Sequence, residues 1–193
     1  GGAKNHGIVL PDADMDQVIK DLSGAAYGSA GERCMALPVV VPVGKKTADE
    51  LRERMVAEIE TLKVGISSDP AAQYGPVVNQ AHRDKIAGYI KTGVEEGAEL
   101  VVDGRGLTVD GHEEGFFTGG TLFDRVTPDM VIHREEIFGP VLCVVRAKTL
   151  PDAMEIINNH EFGNGTCIFT RDGEAARYFS DHIQVGMVGI NVP

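Results

Sequence analysis

The sequence predicts an α/β domain of three layers, α/β/α, built on a mostly parallel sheet. Three observations predict it. Short β-branched runs alternate along the chain with segments of helical period. The helical segments carry their apolar residues on one stripe, a pattern that demands a partner surface. With 193 residues, 42% of them hydrophobic, the chain is long enough to bury the core of one domain.

Taken in order, strands are expected at 8–10, 39–43, 100–103, 141–145, 166–170 and 187–192. The first helix follows Asp12 or Asp14, either of which can cap it, and places Met15, Val18, Ile19, Leu22 and Ala26 on one face. A second is expected to open at Thr47-Ala48-Asp49-Glu50, which has the form of a capping box, and carries Leu51, Met55, Ile59 and Leu62 along one stripe. Further helices are expected near 80–96, 151–159 and 174–183. Gly/Pro-rich stretches at 65–76, 103–120 and 138–140 interrupt the pattern. The middle one contains Asp103-Gly104 and Asp110-Gly111, so a surface excursion with a hairpin is expected there. No repeat or linker divides the chain, and no Gly-x-Gly-x-x-Gly lies between a strand and a helix.

A net charge of -11, from 18 Lys+Arg against 29 Asp+Glu, argues against nucleic acid as a partner, because phosphate binding needs clustered basic residues. No apolar run approaches the roughly 20 residues of a membrane-spanning helix, and the opening residues lack the basic and apolar sections of a signal peptide. A soluble, intracellular protein with no membrane partner is therefore expected. The abrupt ends, Gly1-Gly2-Ala3 and Asn191-Val192-Pro193, suggest a piece of a longer polypeptide. The six histidines show no metal-ligand spacing and are assigned to surface or core positions, so no metal is expected.

The three cysteines are not equivalent. Cys143 and Cys167 lie in apolar strand-like runs, where cysteine behaves as a small hydrophobe. Cys34 sits in Gly31-Glu32-Arg33-Cys34-Met35-Ala36, a turn between helix and strand. There backbone amides can converge on one spot and Arg33 adds positive charge, and both favour a thiolate nucleophile. The residues alone leave a catalytic cysteine and a plain loop cysteine equally open, because no base is identified.

Larger patterns bear on that choice. Gly2-Ala3-Lys4-Asn5 followed by a strand, a helix and Gly31-Glu32-Arg33-Cys34 resembles the aldehyde dehydrogenase segment that runs from the Gly-Gly-Lys motif to the active-site cysteine. Glu135-Glu136-Ile137-Phe138-Gly139-Pro140 resembles a second block of that family, as do Tyr74-Gly75-Pro76-Val77, Phe162-Gly163-Asn164-Gly165 with Ile168-Phe169-Thr170, and residues 186–191. The matches occur in family order across essentially the whole chain. Arg33-Cys34-Met35-Ala36, Lys4-Asn5-His6 and Gly189-Ile190-Asn191-Val192-Pro193 are most similar to the CoA-acylating methylmalonate-semialdehyde group.

The resemblance implies the family's catalytic-domain fold over residues 1–193, with most of the NAD-binding domain outside the sequence. It implies Cys34 as nucleophile, NAD as cofactor, coenzyme A as co-substrate, and a thiohemiacetal and then a thioester on the sulfur. Glu136 matches the family glutamate that bonds the nicotinamide ribose, and Phe138 the residue beside the ring. Read without the motif, Glu136 caps a short turn and Phe138 is core. Arg33 is expected to pair with a substrate carboxylate; the alternatives are a solvent-facing side chain or a pair with Glu32 or another acid. The family's asparagine oxyanion donor and general-base glutamate would both precede Gly1. A homo-oligomeric parent in bacterial cytoplasm or mitochondrial matrix is expected, oxidising a small semialdehyde to propanoyl-CoA or acetyl-CoA. The competing readings are a hydrolytic enzyme, such as a succinate-semialdehyde type, and a domain that has no dehydrogenase activity by itself.

Overall fold

A computed structural model describes residues 2–193. Seven strands form one sheet: β1 (His6–Val9), β2 (Val39–Pro42), β3 (Glu99–Val102), β4 (Thr121–Asp124), β5 (Val141–Val144), β6 (Gly165–Phe169) and β7 (Met187–Ile190). The helices are α1 (Met15–Tyr27), α2 (Lys45–Thr61), α3 (Gln80–Glu95), α4 (Val131–Arg134), α5 (Leu150–Asn158) and α6 (Gly173–His182). The spatial order is β3-β4-β5-β2-β1-β6-β7, and every pair is parallel except β3 with β4.

The five inner strands are buried at every position, whereas the edge strand β3 is mostly half-buried and the edge strand β7 mostly exposed. Burial on both faces means helices cover both, as parallel sheets require. The chain steps from β1 to β2 in one direction along the sheet and from β5 through β6 to β7 in the other. Right-handed crossovers then put α1 on one face and α5 and α6 on the opposite one. Helix α2 packs on α1, and α3 packs on α4.

Local choices follow from side chains. Of the two candidate caps, Asp14 accepts from the Asp16 and Gln17 amides at the start of α1. Asp12 instead accepts from Thr170 and from the Arg171 amide, closing the carboxyl ends of β1 and β6. The expected box at Thr47 is not a cap: α2 begins two residues earlier, after Gly44 at φ 88, and Thr47 is buried. A capping box does form at Thr149, whose side chain accepts from the Asp152 amide while Asp152 accepts from the Thr149 amide. The excursion at 103–120 contains no strand of its own. It is closed at its base by the antiparallel β3–β4 pair and by the Gly119 amide donating to the Gly104 carbonyl at 2.8 Å. Among the described residues no helix is long and apolar enough to cross a membrane.

Candidate active site

Because β1, β2, β5 and β6 are parallel neighbours, the segments that precede them share one edge of the sheet. Those segments hold Lys4-Asn5, Arg33-Cys34, Glu136 to Gly139 and Asn164. Cys34, Arg33, Glu136 and Phe138, the four residues singled out in the sequence, line one small cleft there together with Asn5, Gly31 and Gly139.

Cys34 is exposed, while Cys143 and Cys167 are buried in β5 and β6. Burial pushes the Cys143 thiol up to about 11 and the Cys167 thiol up to about 12, which makes both poor nucleophiles near neutral pH. Cys34 and Met35 are the central residues of a turn closed by the Ala36 amide donating to the Arg33 carbonyl at 3.1 Å. The turn is reached through three consecutive left-handed residues, Ser29, Ala30 and Gly31, with φ of 54, 55 and 71. Phe138, across the cleft, also has a positive φ of 59. For Ser29, Ala30 and Phe138, which carry side chains, such backbone costs of order 1–3 kcal/mol per residue and persists only where the surroundings impose it.

Gly31 shows what imposes it. A Cβ there would lie 2.1 Å from the Gly139 carbonyl oxygen, so the Cys34 loop and the Glu136–Pro140 segment lie backbone to backbone. The second segment is tied from below by Lys4. Its buried ammonium donates to the Glu135 carbonyl at 2.7 Å. Burial lowers the Lys4 pKa, and the nearby Cys143, Glu136 and Glu135 oppose that shift. From the side, His82 on α3 lies 2.6 Å from the Phe138 carbonyl and 3.4 Å from the Glu32 carboxylate, linking the two loops. Tyr89 donates to Glu135 at 2.7 Å, and burial together with that carboxylate pushes its hydroxyl up to about 12.

Glu136 is half-buried on the cleft wall and has no ion-pair partner among the described residues. The cap after α4 is Glu135, not Glu136. Phe138 is 37% exposed and therefore not core. Arg33 is exposed but anchored, and it pairs with neither Glu32 nor another acid among the described residues. One guanidinium nitrogen donates to the Gly24 and Ala25 carbonyls at 3.0 and 3.1 Å, in the last turn of α1. In the sequence Lys4 and Gly31 stand only inside the family-like motifs, without a role of their own, and His82 is assigned to surface or core. Their contacts join residues 50 or more positions apart, which no spacing rule reveals. His6, His133 and His160 are packed edge to face, with ring centroids 5.0 to 5.3 Å apart, on the inner side of Lys4. Among the described residues no group of His, Cys, Asp or Glu could hold a metal ion.

Comparison with known proteins gives consistent matches. The aldehyde dehydrogenase family model matches residues 1–193. A malonate-semialdehyde dehydrogenase of Pseudomonas aeruginosa is 62% identical over 193 residues, all of this chain and 39% of that protein. An acylating, mitochondrial methylmalonate-semialdehyde dehydrogenase of Arabidopsis thaliana is 47% identical over 192 residues, 100% of this chain and 31% of that one. Among solved structures, the methylmalonate-semialdehyde dehydrogenase of Oceanimonas doudoroffii superposes with a TM-score of 0.98 at 61% identity, covering 100% of this chain and 40% of that one. A Sinorhizobium meliloti protein crystallised with NAD gives a TM-score of 0.98 at 54% identity, covering 100% and 39%. The chain thus spans well under half the length of the relatives it matches.

Proposed function

The chain belongs to the aldehyde dehydrogenase family, and from that premise we propose that it is the nucleophile-bearing domain of an NAD-dependent, CoA-acylating malonate- or methylmalonate-semialdehyde dehydrogenase. The observation that carries this reading is the exposed Cys34 thiol sharing a cleft with Arg33, Glu136 and Phe138. The two subgroup relatives and the acylating one among them support the choice of substrate and acceptor.

In this reading the Cys34 thiolate attacks the aldehyde carbon, a C–S bond forms, and the carbonyl electrons move to oxygen. The Cys34 amide is one donor to that oxyanion. NAD, when bound, supplies the acceptor for the hydride that leaves the same carbon, which converts the thiohemiacetal to a thioester on Cys34. The unpaired Glu136 carboxylate suits the hydroxyls of the nicotinamide ribose, and the open Phe138 ring suits the flat face of the nicotinamide. Release goes to the thiol of coenzyme A, a far better nucleophile than water near neutral pH. The new thioester forms on coenzyme A and the Cys34 thiolate is regenerated. The substrate carboxyl departs as CO2 and the carbon it leaves takes up a proton, so malonate semialdehyde gives acetyl-CoA and its methyl homologue propanoyl-CoA.

Arg33 keeps guanidinium N–H groups beyond the nitrogen held by α1, and these can take the substrate carboxylate in a charge-assisted bond. Arg33→Ala in the full-length enzyme should then weaken kcat/KM for acidic semialdehydes much more than for propanal; equal losses would remove this role.

The test of the whole reading is product analysis. Full-length enzyme with NAD, coenzyme A and malonate semialdehyde should form NADH and acetyl-CoA in equal amounts, and Cys34→Ala should form neither. Undiminished NADH with free acid as product, whether or not coenzyme A is present, would replace the acylating reading with the hydrolytic one.

A further inference from the structure

Two asparagines that the chemistry above does not use converge on the backbone of the nucleophile. Asn5, buried at the start of β1, donates from Nδ2 to the Cys34 carbonyl at 3.0 Å and to the Ala36 carbonyl at 2.7 Å. Asn164, half-buried just before β6, donates to the same Cys34 carbonyl at 3.0 Å. The amide orientations are chemically determined. The Asn5 Oδ1 faces the Gly165 amide at 3.0 Å, which can only donate, so Nδ2 must face the carbonyls.

The position of that carbonyl gives the arrangement its meaning. In a turn from Arg33 to Ala36, the Cys34 C=O and the Met35 N–H form the central peptide unit. The two commonest turn types differ chiefly by a flip of this unit, which changes ψ of the first central residue and φ of the second. The closing bond from Ala36 to Arg33 does not choose between them. Met35 disfavours the flipped form, which would need a positive φ at a residue with a side chain. Two donors on the central oxygen disfavour it further, because a flip would turn that oxygen away and present the Met35 N–H to two asparagine Nδ2 groups.

We propose that Asn5 and Asn164 are positioning residues that lock the central peptide of the nucleophile turn in one orientation, and so hold the Cys34 sulfur and its own amide in a single geometry. This rests on Cys34 being the nucleophile, as proposed above. The strained entry through Ser29 to Gly31 fixes one side of Cys34, and the asparagine pair fixes the other.

The experiment compares Asn164→Leu with the unchanged full-length enzyme. Asn164 is chosen because it is half-buried, whereas Asn5 is enclosed. Loss of one lock should lower kcat for semialdehyde oxidation by about tenfold or more, since small misplacements of a reacting group cost up to about a hundredfold. KM should change by less than about threefold and the melting temperature by little. Asn164→Ser, which is smaller and still polar, should show the same split if the leucine variant folds poorly. An unchanged kcat in both variants, or a lowered melting temperature with unchanged kcat, overturns the proposal. Cys34→Ala run alongside separates the two levels: retained dehydrogenase activity there would remove the nucleophile assignment itself.

Discussion

Replacing Gly31 with alanine puts a methyl group where two loops meet. The new Cβ would lie 2.1 Å from the Gly139 oxygen, 2.4 Å from its carbonyl carbon and 2.9 Å from the Pro140 nitrogen. An ordinary carbon–oxygen contact is about 3.3 Å or more, so the Cys34 loop must move from the Glu136–Pro140 segment by roughly 1 Å. Neither side can yield cheaply, because every atom met is backbone. The φ of 71 adds about 1–2 kcal/mol for any side chain in the left-handed region. Together the strain should reach a few kcal/mol, near the upper end for single substitutions. At about 2–4 °C per kcal/mol for a domain of this size, the melting temperature should fall by roughly 5–15 °C. The catalytic effect should be larger than stability alone explains. A displacement of about 1 Å between Cys34 and the Glu136–Phe138 wall should lower turnover by about a hundredfold at temperatures where the variant is folded. Thermal denaturation and steady-state NADH formation by the full-length enzyme measure the two parts. A melting temperature within about 2 °C of the parent with unchanged turnover would show that the two loops are not held at this separation, and the argument from contact would fail.

Other consequences can be checked on the same protein. Gly24 in α1 and Gly88 in α3 have nothing within 4 Å of an added Cβ, so Gly24→Ala and Gly88→Ala should each stabilise by about 0.5–1 kcal/mol; a loss of stability in denaturant titrations would contradict this. Asp124 is fully enclosed, and Arg146 grips both its carboxylate oxygens at 3.0 and 2.7 Å while also bonding Asp49 at 2.7 Å. Burial alone would raise the Asp124 pKa, but Arg146 and the Arg125 amide hold it below the usual value. Arg146→Met should therefore cost about 3–5 kcal/mol, and adding Asp124→Asn should recover part of it; an equally unstable double variant would contradict the pairing. Burial lowers the pKa of all three histidines: His6 well below 6.5 with repulsion from His133 and His160 adding to it, His133 to about 4 with repulsion from His160, and His160 below its ordinary value with repulsion from Lys4. Below pH 6.5 the unfolded chain thus binds more protons than the folded one. The stability is fully present above about pH 6.5 and is lost as pH falls toward 4, with His133 alone accounting for about 3 kcal/mol by then. Urea midpoints at pH 7.5 and pH 5 should differ in that direction, before most carboxylates titrate, and equal midpoints would contradict the cluster's role.

Strands were legible where β-branched runs stand between turn residues, as at Val39 to Val43 and Val141 to Val145. β4 was not, because Thr121–Asp124 follows directly on Gly119-Gly120 and reads as the tail of a glycine-rich excursion. α4, four residues long, is too short to show a period. Thr47 has the sequence of a cap but the burial of a core residue, since the left-handed Gly44 lets the helix start sooner. Cys34 could be separated from the other two cysteines because their neighbours are apolar and its neighbours are not. Asn5, Gly31, His82 and Asn164 could not be given roles that way. Each acts through contacts with residues distant in the chain, and periodicity carries no information about which loops the sheet will bring together.

Arg33 shows how much such a contact can change an argument. Adjacent in sequence to Cys34, it reads as a positive charge for the sulfur. Helix α1 returns antiparallel to the strands and ends at the same sheet edge, however, so its C-terminal carbonyls concentrate partial negative charge there. That end would oppose both a thiolate and a developing oxyanion. Arg33 and the Leu37 and Gly28 amides take up those carbonyls: Gly24 receives the Gly28 amide and Arg33, and Ala25 receives Arg33 and Leu37. The segment that carries Cys34 thus takes up the carbonyls of the helix end beside it. Arg33→Ala has two separable effects in consequence. Uncovering the α1 carbonyls should slow every aldehyde alike, whereas losing a partner for a carboxylate should slow only the acidic ones. The loss seen with propanal measures the first effect, and the excess seen with a semialdehyde acid measures the second.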